Sequence, residues 1–571
     1  MWATIALSLC LSLPHGCGLL KTFEDGSEAF EYRGIYLPGN SGEAGKAIGL
    51  HNLDAEWGIW GHNLFKILPK DHSHAIYAKV DGRVNTEQFC FSSDQLYHYV
   101  EEYISDNYGS NETKRFAILP NDNHVVCQCE QCIAAGCSYN DVAPAVFSFL
   151  ERLANRFPNH IFFTSYYLTT RSLPTHALPE NTGVLFSAIH YYLCARQTTR
   201  EDEFKEQLAQ WSRVTQHVYV WDYICNFDDY FSPYPTLEIM QRRFRIYKEA
   251  GVRGVFCNGS GYDYSTFCRL RSHVLAELMK NPDANWRKIL HEKCRELYPV
   301  TGNIIEQFMG NQEDNLFASA KKLPIYEGVA VSRNTYLVEA DIVALHDKLQ
   351  RLLPQTKGEE QTDISKACKA LCMTMLEFKR LRGDISGVRP LLHELQSITA
   401  DGVRIYSESF WSVDTYVQEY TAMVEYAEAN SKHNLLRGKQ LTALTALDPD
   451  YKDLSILTDG LPALPHNYHC GHLISSADPW LRIAIPNVSG MKHLRVGMTR
   501  NLQFHIALPL RITLSAGGKE IATTQPQQKE GVDGRATVEF DIPANTEGTL
   551  ILTIVRNKEE KTMALDEIEG W

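Results

Sequence analysis

The chain lacks any excess of positive charge: 56 Lys and Arg stand against 69 Asp and Glu, a formal net charge of −13. A field of that sign repels phosphate backbones, so nucleic acid is not an expected partner. After the first twenty residues no apolar run approaches the roughly 18 residues needed to cross a bilayer, and no membrane span is expected. No G-x-G-x-x-G or G-x-x-x-x-G-K-[ST] loop follows a strand-like run, which weighs against a nucleotide-binding sheet. G-x-S-x-G, H-E-x-x-H and a protease-like Cys and His context are also missing, so nucleophilic-serine, metalloprotease and cysteine-protease chemistry drop away. There is no internal repeat or low-complexity tract.

What is there is apolar and aromatic. The 571 residues are 44% hydrophobic and 11% aromatic, with a mean hydropathy of −0.28. That is too much apolar matter for a disordered chain and too long a chain for one core, so a soluble globular protein of several domains is expected. Trp2 to Leu13 has the length of a signal-peptide apolar region and is followed by Pro14 and the small residues Gly16, Cys17 and Gly18. Residues 1–20 therefore read as an export signal, with a periplasmic, cell-surface or secreted destination.

Of fifteen cysteines, most stand singly in apolar stretches (Cys194, Cys225, Cys257, Cys268, Cys294) and read as buried thiols. Cys127, Cys129 and Cys132 form a C-x-C-x-x-C run, with Cys90 upstream and Cys137 just beyond. Closely spaced thiolates suit a tetrahedral zinc ion, export favours disulfides to Cys90 or Cys137, and free thiols are the third reading the spacing leaves open. Each outcome is structural, and no cofactor is expected for the chemistry.

Between residues 21 and 300, β-rich runs (Arg115 to Leu119, Ile161 to Tyr167, Val184 to Tyr191, Val218 to Trp221, Val252 to Cys257) alternate with helical segments such as Ala143 to Arg156 and Leu237 to Ala250. This rhythm predicts an α/β fold, a (β/α)8 barrel of the TIM type. Amphipathic stretches predict a helical region over residues 301–445, packed on the barrel. Beyond the turn-rich Asp448 to Pro465, short alternating runs such as Trp480 to Ile485 and Arg511 to Ser515 predict a β-sandwich over residues 455–571.

A parallel barrel works at the C-terminal ends of its strands. There Leu119 leads into Pro120, Asn121 and Asp122, and Trp221 into Asp222 and Tyr223. Tyr166, Tyr167, His190 and Tyr191 end the strands between, and His62 stands in Trp60-Gly61-His62-Asn63. Two strand-end carboxylates lined by aromatics suit sugar chemistry: one carboxyl protonates the departing glycosidic oxygen, the other attacks or activates water, and flat rings cover pyranose faces. Asp122 and Asp222 are thus the expected catalytic pair. Asn121, His62, Tyr166, Tyr167, His190, Tyr191, Trp221 and Tyr223 are the expected binders of an oligo- or polysaccharide. Strand-end Asp residues also cap the helices that follow, which is the plainer reading of either one alone. Asp228, Asp229 and Asp263, in loops after the same strands, form a second carboxylate set, and Asn226 and Asn258 are amides where carboxylates might have stood. The alternative is a catalytically silent carbohydrate-binding barrel.

Glu31-Tyr32-Arg33, Trp60-Gly61-His62-Asn63, Gln88-Phe89-Cys90, Leu119-Pro120-Asn121-Asp122 with its cysteine run, and Val220-Trp221-Asp222-Tyr223 resemble the domain of unknown function 4838 over residues 30–300. That resemblance implies a glycoside-hydrolase-type barrel of largely unassigned activity. Leu457-Thr458-Asp459-Gly460, Trp480 and Ala507-Leu508-Pro509 are similar to galactose-binding-like, discoidin-type sandwiches, although Gly471-His472 replaces the usual Gly-Trp. Asn121-Asp122 followed by Cys127, Cys129 and Cys132, with Cys90 upstream, also resembles zinc-bearing β-galactosidases. There the acid/base ends strand four and the nucleophile strand seven, which implies those roles for Asp122 and Asp222. Asp stands at both places where that superfamily carries Glu, a side chain shorter by about 1.5 Å.

Overall fold

The computed structural model describes residues 28–571 apart from 110–111, 192, 195, 197–198, 431–432, 477, 528–532 and 558–561. The expected export signal at residues 1–20 lies outside the described residues. No described helix is long and apolar enough to cross a membrane.

Seven parallel strands form the first sheet: β1 (Tyr32–Tyr36), β2 (Trp57–Ile59), β3 (Arg115–Ala117), β4 (Ile161–Tyr166), β5 (Thr182–Ser187), β6 (His217–Tyr223) and β7 (Gly254–Asn258). Their order, β2-β3-β4-β5-β6-β7-β1, places each beside its predecessor and returns β1 to the last strand. That is the order of a sheet curling toward a barrel. Its inner face shows why it curls. Tyr32, Trp57, Ala117, Phe163, Leu185, Tyr219 and Phe256, one from every strand, pack into a single buried cluster. Among the described residues no ladder joins β1 to β2, but the rings of Tyr32 and Trp57 meet edge-on across that gap, 5.9 Å apart.

Eight strands were expected, and seven are seen among the described residues. The β-rich residues after β2 are spent on an antiparallel hairpin, Tyr77–Val80 with Arg83–Phe89. Asp81 and Gly82 turn it at φ +49° and +76°, the two positive angles that a two-residue hairpin loop demands and that Asp-Gly supplies. The count therefore shifts: Asn121-Asp122 follows the third parallel strand and Asp222 lies in the sixth.

Helices Ala143–Arg156, Thr199–Ser212, Leu237–Glu249 and Cys268–Lys280 cover the outer face. Further helices, among them Glu339–Leu352, Gly358–Leu381, Val388–Gln396 and Val413–Asn430, follow and share one apolar core with the outer side of the sheet. C-terminal to them, a five-stranded and a four-stranded antiparallel sheet enclose a separate apolar cluster. Trp480–Ile485 alternates exposed and buried along its length, the period of two that the sequence carries.

The same period corrects the catalytic assignment of Asp222. In β6, Tyr219 and Trp221 face the inner cluster, while Val218 and Val220 belong to the outer core. Asp222 shares their outward parity and is fully buried. Its carboxylate accepts from Arg243 at 2.6 Å, from the Tyr247 hydroxyl and from the Tyr223 N–H at 2.9 Å. Arg243 and Tyr247 stand one turn apart on helix Leu237–Glu249, so one helix face occupies both carboxylate oxygens. Tyr166 and Tyr191 also leave the expected site. Tyr166 stacks on Phe186 at 4.7 Å and meets Trp211, and Tyr191 stacks on Phe204 at 4.2 Å, both in the layer between sheet and helices.

Asp222 thus holds Arg243 in a buried pair. Replacing Asp222 by Asn strands the guanidinium in the core, where breaking a buried pair costs about 3–5 kcal/mol. Chemical denaturation of D222N should show that loss, and the fraction that stays folded should keep any activity of the native chain.

Candidate functional site at the mouth of the curled sheet

The C-terminal ends of β2, β6 and β7 build an aromatic floor. Trp60 and Trp221 stack at 5.0 Å with 9° between planes, and Phe256 meets both edge-on at 4.4 and 4.7 Å. Both indoles are half-buried, and the Trp221 Nε1–H is a buried donor with no protein partner. Gly61 takes φ +57°, and a Cβ there would lie 3.5 Å from the Trp221 ring. That conformation carries the loop over the indole and delivers His62. The His62 Nδ1–H donates to the Pro120 carbonyl at 2.5 Å. A carbonyl can only accept, so Nε2 of the neutral ring keeps its lone pair. Tyr167 lies 6.1 Å from the His62 ring and stacks against His190 at 6.0 Å. Inward-facing Tyr223 pairs its hydroxyl with Ser187 Oγ at 3.3 Å.

Asp122 is exposed on this rim, and its neighbour Asn121 is fixed by the hairpin. The Asn121 N–H donates to Gln88 Oε1 at 2.9 Å, and its Nδ2 to the Glu87 carbonyl at 2.8 Å. Gln88 returns a bond to the Asn121 carbonyl at 3.1 Å. Burial, with the Asp122 charge nearby, pushes the Tyr167 phenol well above its ordinary value.

A second carboxylate arrives from a part of the chain where none was expected. Glu408 sits in a turn of the helical region that docks on the loop after β6: its N–H donates to the Phe227 carbonyl at 2.7 Å, and the Tyr230 N–H donates to the Tyr406 carbonyl at 2.8 Å. The Tyr326 hydroxyl donates to Glu408 Oε2 at 2.8 Å. Glu408 is open to solvent yet closely surrounded. Desolvation, reinforced by the charges of Asp228 and Asp122 and opposed by the Tyr326 bond, holds its carboxyl above the ordinary glutamate value. Asp122 and Glu408 thus come from distant parts of the chain, with Asp122 among the charges that act on Glu408. Nothing local in Ser407-Glu408-Ser409 signals this role, because docking alone brings it there.

Asp222 borders a cavity of 230 Å³ between the ends of β5 and β6 and residues 322–327, shared with Tyr223, Tyr326 and Glu327. A larger cavity of 860 Å³ also touches Glu327, with Tyr451 and His469. Burial pushes Glu327 up to about 7. The second carboxylate set is mostly committed. Asp228 accepts from Tyr468 and His469, each at 2.8 Å, and Asp229 accepts the Phe231 and Ser232 N–H groups at 2.9 Å. Burial raises Asp263. Asn226 spans to the backbone of Glu327.

The cysteines converge behind the hairpin. Cys90, Cys127, Cys129 and Cys132 bring their sulfurs within 4.8 Å of one another, with Cys90 Sγ 3.6 Å from Cys129 and 3.7 Å from Cys132. A disulfide needs about 2.05 Å. Four thiolates at about 2.3 Å from one ion would lie about 3.8 Å apart. The Lys79 and Cys132 N–H groups donate to Cys127 and Cys129 sulfurs, as they would to thiolates. This donor set fits a metal ion with no position left for chemistry. Cys137 turns instead to the Val142 carbonyl.

Residues 53–310 match the family model described as Domain of unknown function (DUF4838), the family that the motifs resemble. The match takes in β2 to β7, the cysteine cluster and the aromatic floor. Comparison with curated proteins returns no match. Among solved structures, a family GH115 4-O-methyl-α-glucuronidase, BtGH115A, with specificity for decorated arabinogalactans, is similar at 12% identity over 95% of this chain and 81% of its own, with a TM-score of 0.32. The lectin domain of lectinolysin complexed with Lewis B antigen (14% identity, TM-score 0.19) and a chitosan-binding module of the chitosanase/glucanase from Paenibacillus sp. IK-5 (18%, 0.17) each cover 24% of this chain and 96% and 98% of their own. At these TM-scores the likenesses fix neither a fold nor an activity.

The cysteine cluster ties the hairpin to the loop that carries Asn121 and Asp122. Stripping metal with a chelator, or replacing Cys129 by Ser, should release that tie. Amide hydrogen exchange over residues 77–90 and 121–132 should accelerate while the exchange of β6 stays unchanged.

Proposed function

We propose that this chain, with the matched domain forming the mouth of its curled sheet, is a carbohydrate-active enzyme that hydrolyses glycosidic bonds. The sheet is read as a (β/α)8-type barrel in which the hairpin replaces one strand. The observation that carries the reading is the stacked pair Trp60 and Trp221 at the mouth, with Asp122 exposed on its rim and Glu408 held above its ordinary value by desolvation, with the Asp122 charge among the lesser causes.

The environments of the two carboxylates separate their roles. Glu408, desolvated and beside like charge, keeps its proton to higher pH than an ordinary glutamate and is the general acid for the departing oxygen. Exposed Asp122, with the Tyr167 phenol nearby, is the carboxylate that attacks or activates water. A pyranose lying on the indole floor would meet the His62 Nε2 lone pair, with Asn121, Tyr167, His190 and Tyr223 around it. The four-cysteine site is read as structural zinc supporting Asn121, the C-terminal sandwich as a galactose-binding-like module, and the protein as exported.

Release of reducing ends from a panel of oligo- and polysaccharides tests the reading. E408Q and D122N should each lower turnover by about 10²–10⁴-fold, the usual worth of a positioned acid or base. Glycans that bind the wild-type chain and are never cleaved would leave the silent binding protein as the function. The pH dependence has a definite sign. A raised Glu408 keeps the acid protonated at low pH and loses it as pH rises through its value. Activity should therefore fall on the alkaline side, and the residual activity of E408Q should lack that limb.

A further inference from the structure

A second convergence of ligand atoms lies in the helical region, remote in sequence from the four cysteines. Helices Glu339–Leu352, Gly358–Leu381 and Val388–Gln396 each contribute one residue: His346, Cys372 and Glu394. Their ligand atoms lie within 4.8 Å of one another. His346 Nε2 is 3.6 Å from Cys372 Sγ and 3.4 Å from Glu394 Oε1. His346 is 7% exposed and Cys372 0%, while the Glu394 side chain is 26% exposed.

A hydrogen-bond network accounts poorly for this triangle. One imidazole nitrogen offers either a single N–H or a single lone pair, so Nε2 cannot both accept from the thiol and donate to the carboxylate. The Cys372 thiol already points to the Cys368 carbonyl at 3.4 Å. The 3.4 Å approach of Glu394 is also longer than a direct N–H···O bond, which spans about 2.7–3.2 Å. With bonds of about 2.3 Å to sulfur and about 2.0–2.1 Å to nitrogen and oxygen, adjacent ligands of a tetrahedral zinc ion stand about 3.3–3.6 Å apart, the separations seen here.

We propose that His346, Cys372 and Glu394 form a second metal site, for a divalent borderline ion of the zinc type. One thiolate and one carboxylate neutralise the ion's two charges, which a mostly buried site requires. The surroundings are those of ligands held in place. Asp347 Oδ1 stands 3.6 Å from His346 Nδ1, on the side that would carry the ring proton, and Gln350 donates to Glu394. Glu394 opens toward solvent, where water completes the coordination. The ion staples the helix Gly358–Leu381 to both neighbours. That helix reaches the mouth-bearing domain through Thr374, 3.0 Å from Ser232, and the C-terminal region through Arg380, 2.6 Å from Asp459.

The test uses the full chain loaded with zinc, then dialysed, with metal per chain measured by mass spectrometry. A C129S/C132S variant removes the four-cysteine site, so the metal that remains reports on the second one. This variant should retain about one equivalent of zinc. Loaded with cobalt(II) it should show a single thiolate-to-metal charge-transfer band. Adding C372S should abolish the band, and adding E394Q, a milder change that keeps the shape of the side chain, should weaken zinc about tenfold or more. Zinc retention that is indifferent to C372S and E394Q in chains still folded by circular dichroism overturns the proposal, as does a C129S/C132S chain that is folded and binds no zinc.

Discussion

The curl of the parallel sheet depends on one layer of inward side chains, and everything at its mouth depends on the curl. Tyr32, Trp57, Ala117, Phe163, Leu185, Tyr219 and Phe256 are mostly large, and large rings on one face fill the space that a bent sheet encloses. Tyr219 is the hub: its ring stacks on Tyr32 at 5.5 Å and meets Phe163 at 4.7 Å. Room for it comes from Gly254 on the neighbouring strand, where a Cβ would fall 2.6 Å from the Tyr219 ring. Such aromatic pairs contribute roughly 0.5–1.5 kcal/mol each beyond the area they bury. Below, Arg115 reaches the Tyr219 hydroxyl and pairs with Glu56, so a charge enters the sheet only where it is satisfied. Above, the same face continues into Trp60, Trp221 and Tyr223, and the floor of the site is an extension of the core.

That continuity decides which polar residues work at the mouth. Side chains alternate along a strand, so a residue adjacent to a mouth residue faces the opposite way. In Tyr219-Val220-Trp221-Asp222-Tyr223 the aromatic residues hold the inner face, which commits Asp222 to the outer one. The information was in the sequence: Val218 and Val220 mark the buried outer face as clearly as the rings mark the inner one. Choosing Asp222 for its place at a strand end set position along the strand above parity. The same alternation in β4 sends Tyr166 outward and keeps Phe163 inward. Asn121 and Asp122 escape the rule because they follow the strand, in a loop held by Gln88 and Glu87.

The parallel strands and their helices were legible because β-branched and aromatic runs are punctuated by amphipathic ones, and the antiparallel strands of the C-terminal part because their alternation is clean. The number of parallel strands was less legible. Asp81-Gly82 specifies a tight hairpin, a two-residue signal to which the strand-and-helix rhythm is blind. The cysteine cluster was legible as a set of residues, while the choice between bonded and merely converging sulfurs needed distances. Glu408 and Tyr326 were not legible. They have no motif, and their place is set by backbone bonds between distant segments: Glu408 to Phe227 at 2.7 Å, and Phe227 to Ile325 at 2.7 Å.

Those two bonds make Phe227 the joint through which the helical region completes the mouth. Its N–H takes the Ile325 carbonyl and its carbonyl takes the Glu408 N–H, so one residue of the loop after β6 aligns Tyr326 and Glu408 together. Its ring lies between them and the floor, 5.6 Å from Tyr326 and 5.9 Å from Tyr223. Asp122 and the indoles fall within the matched segment, residues 53–310, whereas Tyr326 and Glu408 fall beyond it. The matched domain supplies a surface on which a ring can lie and one carboxylate. The second carboxylate, Glu408, comes from the region packed over it, so the proposed pair is assembled from two distant parts of the chain.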